Sequence, residues 1–249
     1  MILLSACSSS QPSNENNSES PLTISAASSL QNVLNEIEDE YIKEHPNRPL
    51  VFNFGGSGAL MQQIEKGAPI DLFIFADIEK SNYLIERDLV KKKTVTNFLG
   101  NQLVLIVPND STQFISKIED LTDSSVKRIA IGTPESVPAG LYSKQSLQSL
   151  ELWNKLEEKI VRTKDVRQVL TYVETGNVEA GFVYKTDAIQ SRKVKIATQI
   201  SDSMHDKIVY STGIVKATKQ TEAAKGFLEF LLSDKAKEIY LKYGFIVLE

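Results

Sequence analysis

A set of small, polar turns, each placed where a helix begins, carries the residue types best suited to chemistry in this chain. They are Ala26-Ala27-Ser28-Ser29-Leu30, Gly55-Gly56-Ser57-Gly58-Ala59 and Val137-Pro138-Ala139-Gly140-Leu141, joined by a helix start at Asp165-Val166-Arg167 and a strand end at Phe182-Val183-Tyr184. The first turns of helices present unpaired backbone N–H groups and a partial positive charge, which suit anions. Serine hydroxyls and a tyrosine phenol add neutral donors. Glycines at 55, 56 and 58 let the backbone come close to a ligand and form an anion-binding nest. The chemistry implied is the holding of an oxyanion without its transformation.

Catalytic alternatives find little support in the same residues. The GGSG turn lacks the Lys-Ser/Thr pair of a phosphate-binding P-loop. It also misses the G-x-S-x-G nucleophile elbow, because Ala59 stands where the last glycine is required. The two histidines, His45 and His205, lie in separate polar segments and the single cysteine is Cys7, so no metal-ligand spacing emerges and no histidine base accompanies a serine. Glu38-Asp39-Glu40 reads as a solvated helix face and Lys91-Lys92-Lys93 as surface. A serine-dependent extracellular hydrolase built on Ser57 stays as an alternative of a different class.

The elements that must position these turns follow an α/β pattern. Short apolar runs predict strands at Leu22–Ser25, Leu50–Phe54, Asp71–Phe75, Gln102–Val107, Lys127–Ile131, Lys159–Val161, Ala180–Tyr184, Val194–Ala197 and Ile208–Val215. Their alternation with helical stretches predicts mostly parallel βαβ units. Leu30, Val33, Leu34, Ile37 and Tyr41 share one helical face, with Ser28 or Ser29 as the expected N-cap. A second helix carries Leu60, Met61 and Ile64 and stops at Gly67; another carries Val169, Leu170 and Val173 and stops at Gly176. Two more are expected at Glu222 to Leu232 and Asp234 to Tyr243, the latter ending at Gly244. The length of 249 residues allows one large domain or two lobes. The expected division is 22–101 plus 212–249 for lobe I and 102–211 for lobe II, with two crossing strands as the hinge.

Composition and the start of the chain bound the setting. Hydrophobic residues make up 41%, and the formal net charge of −4 comes with no basic stripe, which argues against a nucleic-acid partner. Leu4-Ser5-Ala6-Cys7 matches a bacterial lipobox, in which Cys7 is lipidated after cleavage. The apolar run before it is too short for a full signal, so residues 1–21 read as a truncated or alternative lipoprotein signal followed by a tether. The polar segment Ser8 to Ser20 then reads as a disordered tether from a membrane surface.

Taken in order, AASSL, FGGSGAL with QQIEKGAPIDLFIFAD, GTPESVPAGLYSK, DVRQVL, GFVYKTDA and the terminal KYGF resemble the molybdate-binding proteins of bacterial ABC transporters. The resemblance runs from Leu22 to Phe245. It implies a type II periplasmic-binding-protein fold, with two α/β lobes joined by a two-strand hinge and closing on a tetrahedral oxyanion. It implies that Ser29, Ser57, Ala139, Val166 and Tyr184 hold molybdate or tungstate through its oxygens, with no protein atom on the metal and no cofactor. Ser28 stands where relatives often carry alanine and Gly58 where serine also occurs. The resemblance further implies an extracytoplasmic, lipid-anchored monomer of Gram-positive type that delivers its ligand to a membrane permease. Sulfate, thiosulfate or an organic anion remain alternative ligands for such a lipoprotein.

Overall fold

The computed structural model describes residues 20–112 and 114–249, so the lipobox with Cys7 and nearly all of the segment read as a tether lie outside the described residues. In chain order the elements are β1 (Leu22–Ala27), α1 (Gln31–Glu44), β2 (Leu50–Gly55), α2 (Ser57–Glu65), β3 (Leu72–Phe75), α3 (Ile78–Glu86), β4 (Thr96–Gly100), β5 (Leu103–Pro108), β6 (Ile129–Gly132), α4 (Pro138–Ser149), α5 (Trp153–Leu156), β7 (Ile160–Thr163), α6 (Val166–Glu174), β8 (Ala180–Tyr184), α7 (Lys185–Ala188), β9 (Val194–Gln199), β10 (Val209–Ile214), α8 (Thr221–Leu231), α9 (Asp234–Lys242) and β11 (Ile246–Val247). They build two sheets, each the centre of an α/β lobe. The first has the order β11-β4-β10-β3-β1-β2 and the second β7-β6-β8-β5-β9.

Strand β3 shows how sequence makes the first lobe. All four of its residues, Leu-Phe-Ile-Phe, are buried. Side chains alternate across a strand, so successive residues must satisfy opposite faces. Leu72 and Ile74 join the core formed with Leu34, Ile37 and Tyr41 of α1 and Phe227 and Leu231 of α8. Phe73 and Phe75 join a separate cluster with Leu60 and Ile64 of α2 and Leu84 of α3. Two-sided burial explains the unbroken apolar run. In the second lobe, α6 and α4 both pack against β6 and β8.

The expected parallel βαβ units are present, but each sheet as a whole is mixed. Strands β1–β2, β1–β3, β6–β7 and β6–β8 pair parallel. Strand β10 runs antiparallel to β3 and β4, β11 to β4, and β5 to β8 and β9. The reason lies in the chain path. Strand β5 enters the second sheet, and β10 re-enters the first, from the opposite lobe, so each arrives against the βαβ direction. The passages between sheets fall at Asn101–Gln102 and at residues 200–208. The boundary expected between 211 and 212 falls inside β10, all of which belongs to the first sheet. Strands β4 and β11 had no counterpart in the apolar pattern. Gly67, Gly176 and Gly244 end their helices with positive φ of 82°, 66° and 84°.

Close packing at the mouth of the second lobe depends on Gly140. A Cβ there would lie 1.9 Å from the carbonyl oxygen of Gly132, at the end of β6. The start of α4 is therefore pressed directly onto the strand it follows. Gly140→Ala should destabilise the fold by about 1–3 kcal/mol or more, because backbone must move. Urea unfolding checks this, and an unchanged midpoint would show that the contact yields freely.

Candidate anion site between the lobes

The parallel strands of both sheets end at one cleft. Loops after β1, β2 and β3 deliver Ser28 and Ser29, Gly56 and Ser57, and Ala76; loops after β6 and β7 deliver Val137 to Ala139 and Val166; β8 ends on Tyr184. Ligand sites of open α/β sheets form at these carboxyl ends. The small cavity there is lined by all five residues expected from sequence, Ser29, Ser57, Ala139, Val166 and Tyr184. None of the five is more than 6% exposed. No lining residue is charged.

Four of the lining groups are set up as donors by their local structure. Pro138 occupies the first turn of α4 and has no N–H, which leaves Ala139 as an early N–H of that helix without an intrahelical acceptor. Val166 is the first residue of α6, whose N-cap is Asp165; the Asp165 carboxylate accepts from the Gln168 N–H at 2.9 Å. Ser57 Oγ accepts from the Ala76 N–H at 3.0 Å, so its own proton remains for another partner. The Tyr184 hydroxyl is buried and has no hydrogen-bond partner among the described residues. Burial pushes its phenol well above the ordinary range, so it keeps its proton.

Ser29 departs from its expected role. Neither Ser28 nor Ser29 caps α1 with its side chain, and the helix is entered through a short 3-10 turn, Ser28–Leu30. The Ser29 hydroxyl instead meets Tyr210 OH at 2.9 Å, across 181 residues of chain. A tertiary partner has replaced the local backbone bond that a helix start ordinarily favours.

The lobes meet around this cavity. Gly58 N–H donates to Ser136 O at 2.9 Å. A Cβ at Gly58 would stand 2.8 Å from Ser136 Cα, and one at Gly56 only 2.7 Å from Ser136 O. Tyr142 of α4 donates its hydroxyl to Ala76 O at 3.2 Å. The Ala76 peptide is thus held at N–H by Ser57 and at C=O by a residue of the other lobe. Sequence reasoning missed Ala76, Tyr142 and Tyr210. Only their position, one residue past a strand or inside a helix or strand, would have marked them.

Among the described residues no group of three or more His, Cys, Asp or Glu side chains could hold a metal ion, and no helix is long and apolar enough to cross a membrane. Two lobes, a cleft at their strand ends and a small, uncharged cavity with buried hydroxyls among its lining residues define a solute-binding protein of the two-lobed periplasmic type. The chain belongs to the bacterial extracellular solute-binding protein family, whose model matches residues 22–246. It is similar to YvgL of Bacillus subtilis strain 168, named as a candidate ABC transporter substrate-binding lipoprotein, with 48% identity over 98% of this chain and 93% of that one. It is similar to the molybdate-binding protein ModA of Haemophilus influenzae, with 37% identity over 90% of this chain and 89% of that one. Its structure matches the periplasmic molybdate-binding protein of Azotobacter vinelandii with a TM-score of 0.82 and 25% identity, covering 92% of this chain and 100% of that one. Family and fold are those of a transport-associated binding protein, not of an enzyme.

Beneath Tyr184 lies a buried carboxyl, Asp187 in α7, with neither oxygen hydrogen-bonded among the described residues. Burial pushes it up to about 7, against the pull of Arg167 and of the nearby Tyr184 N–H. The unfolded chain releases this proton near pH 4, roughly the ordinary Asp value. Stability should therefore fall as pH rises from about 4 to about 7, by at most about 1.4 kcal/mol per unit, and level off above. Asp187→Asn should flatten that slope and unfold at higher urea at pH 8. Equal pH profiles for the two proteins would place the carboxyl in water.

Proposed function

We propose that this protein captures molybdate, and tungstate with it, outside the cytoplasm and delivers it to an ABC permease. The observation that carries the reading is the Tyr184 hydroxyl, protonated, buried and without a partner, on the wall of a cavity that holds no charged group. A group so placed calls for an acceptor from outside the protein. Ser29, Ser57, Tyr184 and the N–H groups of Ala139 and Val166 are the donors assigned to it, with the first-sheet lobe supplying the serines and the second-sheet lobe the rest.

Chemistry narrows the guest. Molybdate at neutral pH is a dianion with four acceptor oxygens and no proton. Hydrogen phosphate would ask the wall for an acceptor, and no lining side chain is a carboxylate. Each hydrogen bond to a charged group contributes roughly 1.5–3 kcal/mol, against about 0.3–1 kcal/mol for a helix end. Direct bonds therefore dominate. Sulfate is equally rich in acceptors, so size is what separates it from molybdate. The names of the Haemophilus and Azotobacter relatives agree with this ligand. The lobes part about the chain passages at 101–102 and 200–208 to admit the ion, and the closed form is what the permease recognises. The lipoprotein naming of the Bacillus relative supports an anchor through Cys7.

Calorimetric titration with molybdate, tungstate, sulfate and phosphate tests the reading. Molybdate and tungstate should bind alike and displace the other two. Ser57→Ala should weaken molybdate binding by about 10- to 100-fold, the loss of one charged hydrogen bond. Tight sulfate binding, or full affinity in Ser57→Ala, would overturn the ligand or the site respectively.

A further inference from the structure

The hydrogen-bond chain behind Ser29 has a direction. Asn101, at the first passage between lobes, is buried, and its Oδ1 accepts from the Gln102 N–H at 2.9 Å. That backbone donor fixes which end of the amide is which: a carbonyl faces Gln102 and the NH2 faces the other way. Nδ2 donates to Thr186 Oγ1 at 2.9 Å and to Tyr210 OH at 3.2 Å. An amide nitrogen cannot accept, so the Tyr210 oxygen is the acceptor in that pair. Its own proton then has one acceptor in reach among the described residues, Ser29 Oγ at 2.9 Å. Tyr210 is wholly buried, and burial pushes its phenol above the ordinary range, so that proton stays in place.

From this geometry we infer that Asn101 and Tyr210 are positioning residues that fix Ser29 as a donor toward the cleft. With its lone pair occupied by the Tyr210 proton, the serine turns its own hydrogen to the cavity. The same chain spans the molecule. Ser29 and Tyr210 belong to the first-sheet lobe, Thr186 to the second, and Asn101 to the passage between them. The orientation of a ligand donor is thus set by the segment about which the lobes move. The effect is selective: a hydroxyl held this way serves an oxygen that only accepts and is poor for one that carries a proton.

The inference rests on the oxyanion reading of the cavity, and a double-mutant cycle separates the two. Molybdate affinity is measured by calorimetry for the full chain, Tyr210→Phe, Ser29→Ala and the double variant. Tyr210→Phe keeps the ring and removes only the hydroxyl. It should weaken binding roughly tenfold, one hydrogen bond's worth. In the Ser29→Ala background the same change should cost nothing further, because Tyr210 acts through that serine. A purely structural role for Tyr210 would instead weaken both backgrounds equally. Asn101→Ala, which removes the donor at the head of the chain, should repeat the pattern and serves if Tyr210→Phe does not fold. Undiminished affinity in the single variants, or losses that persist in full without Ser29, would overturn the relay. Failure of the unsubstituted protein to bind any of molybdate, tungstate, sulfate and phosphate would overturn the reading of the site, and the relay with it.

Discussion

The organising constraint of this structure is a small uncharged cavity whose lining residues include a few buried hydroxyl and backbone N–H groups. Burial makes each unmet donor costly. The fold bears that cost at the Tyr184 hydroxyl, where strand ends and helix starts of two lobes converge. Several nearby acceptors that could quench these donors are occupied elsewhere. Ser57 Oγ is taken by the Ala76 N–H, Ala76 O by Tyr142, and the Asp165 carboxylate by Gln168. The consequence is a site that only an external, acceptor-rich species completes.

The architecture follows from the need to bring such donors from two directions. Parallel strands give a sheet one edge at which all carboxyl ends lie together, followed by helix starts that supply N–H groups. Each lobe has such an edge. The antiparallel strands β5 and β10 are what allow two edges to face each other, since they carry the chain across and back. The mixture of strand directions is therefore part of how the site is made.

Much of this was legible in the sequence because the signals were local. The buried run Leu72–Phe75, the α1 stripe from Val33 to Tyr41 and the glycines at 67, 176 and 244 each announce their structure within a few residues. The five lining residues were reached through motif resemblance, and they share one cavity. What escaped was non-local. The partner of Ser29 is 181 residues away, so a helix cap was the natural local reading. Strand β11 has only two residues and exists because β4 offers it an edge. Backbone donors at Ala139 and Val166 have no signature in residue type, since any side chain carries the same N–H.

The contact of Gly56 and Gly58 with Ser136 has a last implication. Main chain meets main chain there, with no room for even a methyl group between the halves. A guest held behind such a seam could not pass a carbon substituent out between these two stretches of main chain. Esters of an oxyanion, whatever their head group, would have to hold the jaws ajar. For the oxyanion proposed above, the seam would thus favour bare inorganic ions over their organic derivatives and would oblige the cargo to wait until the jaws part before it can leave.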